Sequence, residues 1–346
     1  MFGSQSEHGC GFVERALTGS CDLAIARLLR ARLHRRRRSC AHLPLALLLG
    51  LAGCRKPPPP ADPPDAPLPP FADAPTASSS RLPEPYDLPA ALHALTRDAA
   101  RALGPHTVTA MAGDLFVLAA PAPGPAWDAS VKLAKDAIPA LFNERFSQRP
   151  DRPVLVLLLP TDAAYHAFAD PRPETPKPVP RFGFYLVGLR EAVVNEGPGI
   201  TTLTHEIVHP LVDADFPGAP MWLDEGLASL FEAPVIPGPG EIHGTKNWRH
   251  AALLRALSSP ASKRVRLEAL FAMTGDLFRA GDEPLHYAMA SAFCGWLDAQ
   301  GKLWPFYRAW RDGVSGDPRG EHAFASIMGR TPAEATDAWV RWVRAL

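Results

Sequence analysis

Cysteine is scarce and poorly placed for a disulfide scaffold. Of 5 cysteines in 346 residues, Cys10, Cys21, Cys40 and Cys54 lie at the start and only Cys294 lies beyond. The body of the chain therefore has no internal pair to bridge. Net charge is lacking too, since 36 Lys+Arg face 36 Asp+Glu, but the balance is uneven along the chain. Residues 1–53 hold 8 arginines against 3 acidic residues, leaving 28 basic and 33 acidic residues for the remainder. A mildly acidic body argues against nucleic acid as a partner. No apolar run approaches the ~18–20 residues of a membrane-spanning helix, which excludes a polytopic membrane protein. The 26 glycines follow no three-residue period, which excludes collagen. The length suits one large or two ordinary domains and is ample for a buried core.

What is present begins with an address. Arg35–Arg38 is a run of four arginines, followed by the apolar stretch Leu43–Leu51 and then Ala52-Gly53-Cys54. A positive region, a short apolar region and small residues before a cut site make a secretory signal. Leu51-Ala52-Gly53-Cys54 resembles the lipobox of bacterial lipoproteins. That resemblance implies that Cys54 is acylated and becomes the first residue of an exported, membrane-anchored chain in the cell envelope, on its periplasmic or outer-surface face. Residues 1–53 are read as this signal region, with residues 1–26 either a long leader or upstream translation from a mis-called start. Residues 54–89 form a tether. Between Arg55 and Ala90 lie 13 of the 39 prolines, a composition that favours extended polyproline chain and cannot bury a core.

From about residue 90 the pattern is globular. Ala90–Leu103 and Trp127–Phe146 have helical apolar spacing. Thr107–Met111 and Leu115–Ala119 flank a glycine turn as a hairpin. Val154–Leu159 is a continuous apolar run suited to a strand buried on both faces. Asp162–Ala169 reads as a short helix, Pro171–Pro180 as a loop, and Phe182–Val187 and Ala192–Asn195 as strands. Nearly everything after Thr201 reads as helix, broken by a loop over Ala233–Gly244. Strands first and helices later predict an α+β fold. The expected layout over 90–346 is a sheet plus one helix (90–213) followed by a helical subdomain (214–346).

The chemistry lies in Thr204-His205-Glu206-Ile207-Val208-His209. His205 and His209 are four apart, so on a helix both imidazoles leave one face and can share a tetrahedral metal. Glu206 flanks the first ligand, where its carboxylate can take a proton from a water on that metal. Zinc used catalytically needs a third protein ligand and an open position. Glu225 follows His209 by sixteen residues, within Met221-Trp222-Leu223-Asp224-Glu225-Gly226-Leu227-Ala228. Asp215, Asp213 and Asp224 are the alternatives.

Here the sequence resembles the gluzincin metallopeptidases, above all the smaller bacterial peptidase MA-like domains, in which a helix reading roughly W-L-x-E-G-x-A follows the HExxH helix. The resemblance implies a zincin fold with its active site between sheet and helical subdomain, Zn2+ on His205, His209 and Glu225, Glu206 as general base, and a peptide or protein substrate. Only positions 201–231 carry its specific motifs. Related domains often supply a downstream Tyr or His to the developing oxyanion. Tyr287 is the candidate here, and simple packing of that ring on the core is the competing reading.

Pro210 directly follows the second histidine and is expected to shorten or bend the helix. Together with the short gap to Glu225 it favours the alternative function, a non-catalytic zincin-like binding or adaptor lipoprotein. The strand Ala192–Asn195 is expected to be the sheet edge that pairs with an extended peptide. Cys294 reads as a buried, inert thiol. His166, His243 and His250 lack metal-ligand spacing, while Trp296, Trp304, Trp310, Trp339 and Trp342 read as cement of the helical part. Thr331 and Pro332 mark the start of a terminal helix.

Overall fold

The run Val154–Leu159 forms strand β3, and every residue of it is buried. Its side chains alternate between two cores. Val154, Val156 and Leu158 enter one, and Leu155, Leu157 and Leu159 enter the other, as the two-residue period of a strand requires. In the computed structural model, which describes residues 86–346 apart from 144 and 247, this strand is the centre of a five-stranded mixed sheet. The signal region, Cys54 and nearly all of the tether lie outside the described residues.

The sheet is built as read, with small shifts of boundary. Helix α1 (Leu88–Leu103) begins at Asp87, whose side chain accepts from the Ala90 amide at 2.9 Å. β1 (Val108–Ala112) and β2 (Phe116–Ala120) form an antiparallel hairpin, with Gly113 at φ +59° in its turn. Helix α2 (Pro125–Phe142) then leads to β3, and α3 (Asp162–Ala169) leads on to β4 (Gly183–Leu186) and β5 (Glu191–Asn195). The strand order is β1-β2-β3-β5-β4. β2, β3 and β5 are mutually parallel, and the two outer strands are antiparallel to their neighbours.

Two expectations are corrected here. The strand Ala192–Asn195 is not an edge: β5 is enclosed by β3 and β4, and the edge on that side is β4. The apolar spacing of Trp127–Phe146 also outruns its helix. Phe146 lies beyond α2 and is buried by tertiary contact with Trp304 and Tyr307, at ring-centroid distances of 5.3 and 5.9 Å.

Helices α1 and α3 cover one face of the sheet, while α2 and α4 (Thr202–Asp215) cover the other. Next comes α5 (Met221–Leu230), followed by a hairpin of β6 (Val235–Gly238) and β7 (Glu241–His243), where a plain loop was expected. The rest is helical as read: α6 (His250–Leu257), α7 (Leu267–Phe271), α8 (Gly275–Arg279), α9 (Glu283–Asp298), α10 (Leu303–Gly313), α11 (Glu321–Met328) and α12 (Pro332–Ala345). Thr331 and Glu334 close a capping box on α12. The chain is thus α+β, a mixed sheet followed by helices.

Aromatic side chains hold the helical part together. Trp222, Phe271, Phe293, Phe306, Trp310 and Phe324 form one ring cluster, and Trp296 and Trp339 are also buried. Trp304 and Trp342 pack half-buried against it. A close approach of backbones sets α5 into this mass. A Cβ on Gly226 would meet Cys294 Sγ at 2.9 Å and the Ala290 carbonyl oxygen at 3.0 Å, so only glycine lets α5 lie this near α9.

Candidate metal centre

Helix α4 runs unbroken from Thr202 through Pro210 to Asp215. Proline withdraws one donor from the carbonyl of Glu206, yet the turns beyond it persist and the Phe216 amide still reaches the Val212 carbonyl at 2.7 Å. The helix is therefore neither shortened nor lost at Pro210. It is also buried along nearly its whole length, because it lies between the sheet and α5. His205 and His209 consequently face inward, one turn apart, with imidazole centroids separated by 5.1 Å.

Glu225 comes from α5 to meet them. Its Oε2 lies 3.3 Å from His205 Nε2 and 3.9 Å from His209 Nε2. One ligand atom from each of the three residues falls within 4.8 Å of the others, and all three residues are buried. Metal legs of ~2.0–2.1 Å in a tetrahedron place neighbouring ligand atoms roughly 3.3 Å apart. The 3.3 Å between Glu225 Oε2 and His205 Nε2 matches that, and the 3.9 Å to His209 Nε2 is longer. The donor set, two imidazole nitrogens and a carboxylate oxygen, suits zinc. A further sign of fit is that Glu225 Oε2 is buried with no hydrogen-bond partner among the described residues. The other oxygen, Oε1, pairs with Arg279 at 3.0 Å, and a cation between the three groups would engage Oε2.

Neighbouring groups orient the three candidate ligands. Asp224 Oδ1 lies 2.9 Å from His209 Nδ1, so that nitrogen donates and Nε2 turns toward Glu225. Burial works against a charge on His209, but the Asp224 carboxylate beside it and the charges of Glu225 and Glu206 prevail and raise it to about 10. Burial likewise works against the Glu225 charge, but the adjoining His205, His209 and Arg279 hold it down at about 2. A cation bound here would compete with protons for the two imidazoles, so its binding would weaken as pH falls. Glu206 is fully enclosed, and burial pushes its carboxyl upward against the pull of the two histidines. Its Oε2 also lacks a hydrogen-bond partner among the described residues.

No family model matches the chain, and no curated protein matches it. The reading of the site therefore rests on its geometry.

Tyr287 joins the same group. Its hydroxyl accepts from Arg279 Nη1 at 3.0 Å, while burial and then the negative charge of nearby Glu225 push the phenol upward. Its ring packs against Phe278, with centroids 4.9 Å apart, so the packing role and the position beside Glu225 coexist. The other carboxylates weighed as ligands lie outside the group. Asp215 accepts the amides of Ser147 and Gln148 and pairs with Arg311 at 2.8 Å. Asp213 stands apart, its carboxyl raised by burial. His166 contacts Asp170, His243 contacts Glu241, and His286 Nδ1 meets the Phe278 carbonyl. Cys294 is wholly buried, and burial pushes its thiol upward, as expected of an inert one.

Sequence reasoning missed two neighbours of the site. Gly183, the first residue of β4, is so close to Glu206 that a Cβ there would lie 2.7 Å from Glu206 Oε1. A glycine inside an apolar strand pattern is a signal of close backbone approach that points to it. Arg279, at the end of α8, lies 3.0 Å from Glu225 Oε1, and no local pattern marks it. A separate cavity of about 390 Å³ lies beside α9, lined among others by Lys246, His250, Ser291 and Trp342, and contains none of the three candidate ligands.

Proposed function

We propose that this protein is a zinc metallopeptidase with a zincin-like fold, exported and anchored to a cell-envelope membrane through Cys54. The observation that carries the activity is the convergence of two histidine nitrogens and one glutamate oxygen beside a second, buried carboxylate that belongs to none of the ligands. His205, His209 and Glu225 would hold the metal. Zinc supplies Lewis acidity there, lowering the pKa of a water to about 7 and polarising a carbonyl.

The remaining chemistry belongs to the chain. Glu206 is a base whose pKa is raised by burial, which brings it nearer to working pH. It accepts the proton of the attacking water and passes it to the amine nitrogen that leaves. Tyr287 offers a phenolic proton, steadied by Arg279, to the oxygen that gains charge. Asp224 keeps His209 in one tautomer. Strand β4, which pairs only with β5 among the described residues, leaves an open edge beside Glu206. An extended peptide can add to such an edge by main-chain hydrogen bonds, so the substrate class is a peptide or an unfolded protein segment.

A zinc-holding adaptor without turnover is the alternative, and Glu206 separates the two. Zinc retention has no need of that base, whereas hydrolysis does. Glu206→Gln is expected to abolish cleavage of a quenched fluorescent peptide library while leaving zinc content at the wild-type level. Loss of zinc in that variant would mean that the roles are misassigned, and unimpaired cleavage would remove Glu206 as the base. For the anchor, Cys54→Ser should release the protein from membranes, and full membrane retention would contradict it.

A further inference from the structure

We infer that Arg279 is a positioning residue for the third metal ligand, and that it ties Tyr287 to that same ligand. The inference rests on the metal-site reading above. The two oxygens of Glu225 have different surroundings. Oε2 faces the two imidazoles, at 3.3 and 3.9 Å. Oε1 is taken by Arg279 Nη2 at 3.0 Å. With Oε1 engaged, the carboxylate cannot turn both oxygens toward a metal and is held to one-oxygen ligation, which keeps a further position free. The same guanidinium reaches the other way through Nη1, to Tyr287 Oη at 3.0 Å and Glu283 Oε1 at 2.9 Å. A planar fork with fixed donor directions can hold a carboxylate and a phenol at a set separation, which a lysine cannot.

The local fold brings Arg279 to this position. α8 starts at Thr274, whose side chain accepts from the Leu277 amide at 3.3 Å. Phe278 is completely buried against Tyr287 and His286 of α9, and His286 Nδ1 meets its carbonyl at 2.9 Å. With its neighbour clamped on both backbone and side chain, Arg279 at the end of the helix is aimed at α5. Its own side chain stays about half exposed, 48% by area, so the arm spans from solvent to the buried ligand.

Partners that orient a metal ligand typically contribute about 10–100-fold in metal affinity. The test is zinc affinity of the full chain by chelator competition, together with the visible absorption of the cobalt(II)-substituted protein, which reports ligand number and geometry without turnover. Arg279→Ala should weaken zinc about 10–100-fold and alter the cobalt spectrum, and Arg279→Lys should recover part of the affinity without restoring the Tyr287 link. Arg279→Gln, which keeps a neutral donor, guards against mere misfolding, and a far-ultraviolet dichroism spectrum matching wild type in each variant checks it. If wild type binds zinc tightly and Arg279→Ala binds it equally well with an unchanged cobalt spectrum, the role of Arg279 is overturned and the metal site stands. If wild type takes up neither metal, the site and the role of Arg279 fall together.

Discussion

The closest contact around Glu206 yields the sharpest mutational prediction. Gly183 sits on the edge strand with no room for a side chain. A Cβ there would lie 2.7 Å from Glu206 Oε1, 3.0 Å from Glu206 Cδ and 2.8 Å from the Val193 carbonyl oxygen. The Val193 oxygen belongs to the backbone of β5 in the interior of the sheet and cannot yield. Gly183→Ala must therefore push either the Glu206 carboxylate or strand β4, and relief to an ordinary contact of ~3.4 Å needs roughly 0.7 Å of movement. Misplacement of reacting groups by about 1 Å can cost 10²-fold, so kcat is expected to fall about 10- to 100-fold. Overpacking should cost about 1–3 kcal/mol of stability as well. Zinc content should not change, because Glu206 is not among the ligands. The matched control is Gly188→Ala in the turn between β4 and β5, where a Cβ meets nothing within 4 Å. The assay is steady-state cleavage of a quenched peptide beside metal analysis and urea unfolding of both variants. A Gly183→Ala protein with kcat within twofold of wild type would refute the reasoning, since the base would then have no need of that glycine.

Two further outcomes test how the rest of the molecule is held. Asp215 is wholly buried, accepts two backbone amides and pairs with Arg311, so Asp215→Ala leaves both amides without their acceptor and Arg311 with only the exposed Asp312 as carboxylate partner, and should cost about 3 kcal/mol in urea unfolding with zinc content unchanged; loss of zinc instead would make Asp215 a ligand. Glu196 at the end of β5 is raised above its usual 4.5 by burial, with Ser130 partly opposing. A carboxyl raised in the folded state favours folding while protonated, and that contribution is lost as pH climbs through the raised value. Glu196→Gln should therefore raise the urea midpoint at pH 7 and lose that advantage near pH 4, and a lower midpoint at pH 7 would contradict the assignment.

The elements that were legible in the sequence are those whose information is local. Val154–Leu159 announced a strand buried twice over, and Thr331-Pro332 announced a helix start, because pattern and capping are written in adjacent residues. His205 and His209 were legible because helical spacing alone sets their common face. What escaped depends on tertiary neighbours. The order of β4 and β5 in the sheet is decided by the crossover after α3, and composition alone does not tell an interior strand from an edge. Phe146 kept a helical spacing while its burial came from Trp304 and Tyr307, far along the chain. Arg279 stands 54 residues after Glu225, and only the clamping of Phe278 on α9 brings the two together. The short hairpin of β6 and β7 lay hidden in a Pro/Gly-rich stretch that reads equally well as a loop.

The central claim is that three residues hold one zinc, and metal content tests it most directly. Purified full-length protein, offered zinc and then dialysed, should retain one zinc per chain, and Glu225→Ala should lose it or hold it far more weakly. Full retention by Glu225→Ala would contradict the assigned ligand set, and no zinc in the wild type would contradict the metal centre itself.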